Sequence, residues 1–218
     1  MGKKIAQIVL LVVIVGLVYY IFNDVSTPIK FEEELKTKKT QVIKRIKDIR
    51  TAQRAFKSKY QRFTASFDTL ADFILHDSLV LERKLVDEDD SVGMARLKRL
   101  RKKNIEEFKV AVIDTIFDEK NLVRQLTEKE VYELRFVPGT NNQVQYTMNA
   151  GVKATESKVV IPVVEVKVLY QQFLDTINYR QEVINLIKSP EIVTYNRYPG
   201  VMFGSMDAAN NEAGNWED

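Results

Sequence analysis

Glu32 and Glu33, and Glu106 and Glu107, are among the adjacent carboxylates of this chain, and paired carboxyls at a set separation are the minimum equipment for acid–base hydrolysis. Neighbouring residues on a helix point apart, so neither pair is a ready-made site. His76 is the single histidine, so a Ser-His-Asp relay has only that ring to use. It sits beside Asp77 near the end of a short apolar stretch, where a surface imidazole or a helix-end charge is the simplest role. No cysteine is present, which removes disulfides, thiolate metal sites and thiol nucleophiles. The chain also lacks a Gly-rich phosphate loop, G-x-S-x-G, H-E-x-x-H and a calcium loop. These absences predict a non-catalytic protein, with no cofactor, no metal and no small-molecule substrate.

Two other features suit binding rather than catalysis. Arg96, Lys98, Arg99, Arg101, Lys102 and Lys103 put six cations into eight positions. A solvated segment is the simplest account, and docking of an acidic partner or polyanion is the sharper one. Trp216, the only tryptophan, is the third residue from the end. It either ties the tail onto the body or serves as a docking aromatic.

The elements that would carry these residues follow from how charge is distributed. The net charge of +3 conceals three regions. Ile5 to Phe22 has no charged residue; Lys30 to Lys59 holds 11 basic and 4 acidic residues; Tyr60 onward holds 20 basic and 25 acidic. The run IAQIVLLVVIVGLVYYIF spans about 27 Å as a helix, close to the hydrocarbon thickness of a bilayer. Tyr19 and Tyr20 suit the interfacial belt. A cleaved signal peptide shares the basic start and apolar core, but this core is long, ends in bulky residues and is followed by no A-x-A site. Residues 1–22 are therefore predicted to be a membrane anchor, with Ile5, Val9, Leu10, Val13, Leu17, Tyr19, Tyr20 and Phe22 meeting lipid. Lys3 and Lys4 favour a cytoplasmic N-terminus and an extracytoplasmic body, although Lys30, Lys36, Lys38 and Lys39 weigh the other way.

Pro28 is expected to interrupt the helix just beyond the anchor, with Thr27 capping a new one. Residues 23–60 then read as an amphipathic basic stalk. Leu35, Val42, Ile46, Ile49, Phe56 and Tyr60, with Ile43 beside them, form one apolar stripe. Lys38, Arg45 and Lys59 fall where a coiled coil would need apolar residues, so the stripe is expected to pack on the chain's own body. The cations around it lack an aromatic platform, which disfavours nucleic acid. They read instead as a solvated face, or as attraction to anionic lipid headgroups or an acidic partner.

Residues 61–218 read as an α+β body. Ser66 caps a short helix burying Phe67, Leu70, Phe73 and Ile74. Strands are expected at 79–86, from Val110 and Val112 through 113–117, and at 131–137, 143–148 and 159–168. Asp87 to Asp90 forms an acidic turn, and Pro138-Gly139 and Asn141-Asn142 supply later turns of an antiparallel meander. Pro162 implies an edge or a bulge. Residues 170–187 have helical spacing, ended by Pro190. The expected fold is a transmembrane helix continuing into a long amphipathic helix that packs on an antiparallel sheet.

The first 75 or so residues resemble the type IV pilin and pseudopilin plan. A spanning helix runs into an amphipathic one, whose end reads Ile49-Arg50-Thr51-Ala52-Gln53-Arg54-Ala55-Phe56-Lys57-Ser58-Lys59-Tyr60-Gln61-Arg62-Phe63, followed by Phe67-Asp68-Thr69-Leu70. The family's processing site departs here: Gly2 precedes Lys3-Lys4, and Gln7 stands where that family carries Glu. Processing and polymerisation of the usual kind are therefore not implied. The chain as a whole resembles a family of single-span envelope proteins of bacteria with an outer membrane, one with no established activity to carry over.

The expectation drawn from residues and resemblance together is a single-pass protein of the bacterial inner membrane with a periplasmic body. It would be a pilin-like subunit or scaffold of a multi-protein assembly for secretion, adhesion or motility, with the lipid bilayer and other envelope proteins as partners. A binding module for an anionic envelope polymer or lipid is the alternative, and a carboxylate-dependent envelope enzyme the third reading.

Overall fold

A computed structural model describes residues 2–87, 89–116, 126–155 and 158–217. Helix α1, Gly2–Tyr60, is one element of 59 residues, about 88 Å long at 1.5 Å per residue. It runs through Pro28, so the expected break and the Thr27 cap are corrected. The proline costs the ladder one N–H donor, but the turns on either side hold, and the Ser26 hydroxyl donates to the Phe22 carbonyl at 2.7 Å.

The second half of α1 is the spine of the core. Phe31, Val42, Ile46, Ile49, Ala52, Ala55 and Phe56 are buried, and Leu35 and Ile43 are partly so. The stripe therefore packs on its own chain, as its charged flanks implied; only Tyr60, at its end, stays exposed. Helix α2, Phe67–His76, begins at Ser66, whose hydroxyl accepts from Thr69 N. It buries Leu70, Ala71, Phe73 and Ile74 against α1, with Phe73 edge-on to Phe56 at 5.2 Å.

Strands β1, Ser78–Lys84, and β2, Ile105–Ala111, pair antiparallel as a separate ribbon. They carry helix α3, Ser91–Arg99, between them. Chain 112–116 is helix α4, Val112–Ile116, where a strand was expected; Phe117 lies outside the described residues. The ladder ends because its partner does: Ala111 pairs with Ser78, the first residue of β1, and Val112 N then donates to Asp77 O at 3.0 Å.

The expected strand at 131–137 is likewise corrected to helix α5, Glu128–Glu133, followed by a single bridge from Phe136 to Gln145. A capping box decides it. Thr127 N donates to Glu130 Oε2 at 2.9 Å, and Glu130 N donates back to Thr127 Oγ1 at 3.4 Å.

The main sheet has the order β3-β4-β5, all antiparallel: β3 is Thr147–Ala154, β4 is Val160–Leu169 and β5 is Gly200–Gly204. The strand expected at 143–148 is corrected: β3 starts only at Thr147 and runs on to Ala154, and Gln145 keeps just its bridge to Phe136, while the expected strand at 159–168 is borne out as β4 and β5 was not expected. Pro162 lies in the half of β4 that β5 does not reach, since β5 pairs only with Glu165 to Leu169. Between β4 and β5 the expected single helix at 170–187 is two: α6, Tyr170–Phe173, and α7, Arg180–Ile187. Asp175 separates them by accepting the Ile177 and Asn178 N–H groups at 2.9 and 3.0 Å. Ile177, inside the expected helix, is 90% exposed. A last short helix, α8, Pro190–Val193, leads into β5.

Candidate anchor helix and docking arm

Among the described residues, the stretch of α1 from Val9 to Phe22 is bare. Its large apolar residues from Val9 to Phe22, including Val9, Leu10, Val13, Leu17, Tyr19, Tyr20 and Phe22, are 51–73% exposed. The Ile5 side chain is not among those described. By length and composition this helix can cross a membrane, with a mean hydropathy of 2.1 over an 18-residue window. An apolar surface of this extent around a whole helix is not stable in water.

The basic half of α1 is used differently from its appearance in sequence. Arg50 Nη1 donates to Glu217 Oε1 at 2.7 Å and to the Glu212 carbonyl at 3.3 Å. Arg54 Nε and Lys57 Nζ take the two Glu212 carboxylate oxygens at 3.1 and 3.2 Å. Arg45 Nη1 reaches the Glu133 carbonyl at 2.7 Å. Arg50, Arg54 and Lys57 stand one to two turns apart on one face, so they clamp the acidic tail along the helix, while Arg45 holds α5. Glu217 is held below its ordinary range by the Gly214 N–H and by Arg50. The positive stalk and negative body that look segregated in sequence are thus partly neutralised against each other.

Trp216 belongs to the same clamp. The Arg50 guanidinium carbon lies 5.6 Å from its ring centroid, and the ring packs against the core. Asn215 N donates to Met202 O and its side-chain amide to Gly200 O, at 3.0 and 2.9 Å, so the tail is laid along β5. The Trp216 indole N–H is buried with no acceptor among the described residues.

At the far end of α1, Lys59 Nζ donates to an Asp77 carboxylate oxygen and, at 2.8 Å, to Ser78 O, while Tyr60 Oη donates to the other Asp77 oxygen at 2.6 Å. Donation by Lys59 and then Tyr60 holds Asp77 down at about 2. These bonds fix the root of the β1–α3–β2 arm to the last turn of α1.

The arm itself has almost no core. No residue of α3 is buried, and the β1 and β2 side chains are mostly exposed. Arg96, Lys98 and Arg99 lie on the last turns of α3, with Arg101, Lys102 and Lys103 in the turn after it. All six are exposed, and among the described residues none is in an ion pair. Of the expected acidic turn at 87–90, Asp90 caps α3 through Gly93 N at 2.9 Å; Glu88 lies outside the described residues.

Other candidate chemistry stays dispersed. Glu106 pairs across the ribbon with Arg83 at 2.6 Å, and Glu107 stands opposite Glu82. Among the described residues, no three His, Asp or Glu side chains converge on a point where a metal would sit. His76 closes α2 at the rim of an open cavity of about 380 Å³ that Tyr60, Arg62, Asp72 and Asp77 also line. The cavity was not legible in sequence, because it needs α1 and α2 to pack. No family model, curated protein or solved structure matches the chain.

Proposed function

We propose that this is a single-pass membrane protein, anchored by the first part of α1, that serves as a non-catalytic, pilin-like subunit or scaffold of a multi-protein envelope assembly. The supporting observation is the division of α1: one continuous helix is bare and apolar from Val9 to Phe22, then becomes the core spine of the body from Phe31 onward. A rigid helix of this kind fixes the height and angle of the body above a bilayer. The basic arm is its contact surface toward other envelope proteins, and the body lies on the periplasmic side of the inner membrane.

Distance favours a protein partner over lipid for the arm. Its root at Lys59 is 37 residues beyond Phe22, about 56 Å along the helix. The seven-residue strands that lead toward the tip span about 23 Å, less than half of that distance.

Membrane fractionation tests the reading. The full chain should stay in the pellet after carbonate extraction, and Leu17→Arg with Val13→Arg should release it. A full chain that extracts as freely as that double variant would sink the anchor.

A further inference from the structure

We propose that the tip of the β1–α3–β2 arm is a docking site for an acidic, partly apolar segment of a partner protein. This deepens the preceding reading by naming what the arm binds. Charge complementarity gives the acidic half of the assignment, since the six cations of 96–103 meet no counter-ion among the described residues. The apolar half comes from an open groove of about 420 Å³ at the tip. Met94, Ala95 and Leu97 line it together with Lys98, Lys102 and Asn104. Val92 and Leu100 are also exposed on the same tip. A bare polyanion would have no use for those apolar side chains.

The tip is built to hold its shape without a core. Asn104 brackets Val86 at both backbone groups, accepting its N–H at 2.9 Å and donating to its carbonyl at 2.8 Å. Arg101 N donates to Lys98 O and Lys102 N to Leu97 O, closing α3 with Arg101 at φ +51°. Glycine is the ordinary residue in that left-handed position, and a long side chain there is strained.

The test uses the full chain in nanodiscs and fluorescein-labelled peptides read by anisotropy. One peptide alternates Glu with Leu; the other, of equal length and charge, alternates Glu with Ser. The Glu/Leu peptide should bind at least tenfold tighter, and its binding should weaken at least tenfold between 50 and 500 mM salt. Lys98→Glu with Lys102→Glu should cost at least tenfold, and Met94→Ser should erase the preference for leucine. Arg101→Gly relieves the backbone while removing the charge, so it should leave thermal stability equal or higher and still weaken binding about threefold. Equal binding of the two peptides, tighter binding to phosphatidylglycerol vesicles than to either, or indifference to the tip variants would each overturn the assignment. None of those results touches the anchor, which is read separately by fractionation.

Discussion

Gln53 and Thr64 are joined at both ends of one amide: Gln53 Nε2 donates to the Thr64 carbonyl at 2.6 Å, and Gln53 Oε1 accepts the Thr64 N–H at 3.2 Å. Gln53 is wholly buried, in the last turns of α1, and its Nε2 also lies 3.0 Å from the Met148 sulfur. One side chain thus pins the loop that turns the chain back from the long helix and ties both to β3. Gln53→Ala leaves the Thr64 backbone unsatisfied and opens a cavity, so it should cost about 2–3 kcal/mol in denaturant unfolding. Gln53→Glu should be nearly as harmful, because it keeps the volume but loses the donor.

Glu212 should matter more to the tail than to the whole fold. Its carboxylate is largely buried and shared by Arg54 and Lys57. Glu212→Gln leaves two cations facing a neutral amide and should lower stability by about 1–2 kcal/mol. Hydrogen exchange would place the effect: amides of Gly204, Ala213 and Asn215 should lose protection first, while those of α2 keep theirs.

Acid should loosen the root of the arm. Asp77 titrates lower in the folded chain than in the unfolded one, because Lys59 and Tyr60 donate to its charged form. Its contribution is therefore complete above the ordinary carboxylate range and is lost as pH falls toward about 2. Between pH 5 and 2 the native protein should lose stability more steeply than Asp77→Asn does. Parallel slopes for the two proteins would mean that Asp77 does not carry this dependence.

Gly204 should accept no side chain. Its φ is +74°, and a Cβ there would stand 2.0 Å from the Val164 carbonyl oxygen. Gly204→Ala should destabilise by about 2 kcal/mol or more, measured by thermal unfolding. Gly139, also at positive φ but with open space around it, should cost only about 1 kcal/mol when changed to alanine.

Much of α1 was legible in the sequence because helical spacing is a local property. The stripe from Leu35 to Phe56, its burial within the chain and the Ser66 cap of α2 follow from residue order alone. Two apolar β-branched runs that predict strands form helices in the structure. Val131 lies in a helix because Thr127 and Glu130 form a capping box, a T-x-x-E signal that was present but outweighed by the valines. Ile113 follows a strand whose partner had run out, which depends on where β1 begins. Strand β5 escaped notice because Gly200 and Gly204 make poor strand residues, and their value appears only when the backbone of β4 comes alongside.

The sequence by itself determined the bare apolar span, the amphipathic spine and the absence of cysteine chemistry, since each depends on composition or on a fixed period. Only the tertiary structure decided how the charges are used. Arg50, Arg54 and Lys57 are committed to a tail more than 150 residues away, while the basic run at 96–103 meets no counter-ion among the described residues. Charge is a long-range property satisfied by whatever the fold brings near, so two basic segments that look alike in sequence differ in role.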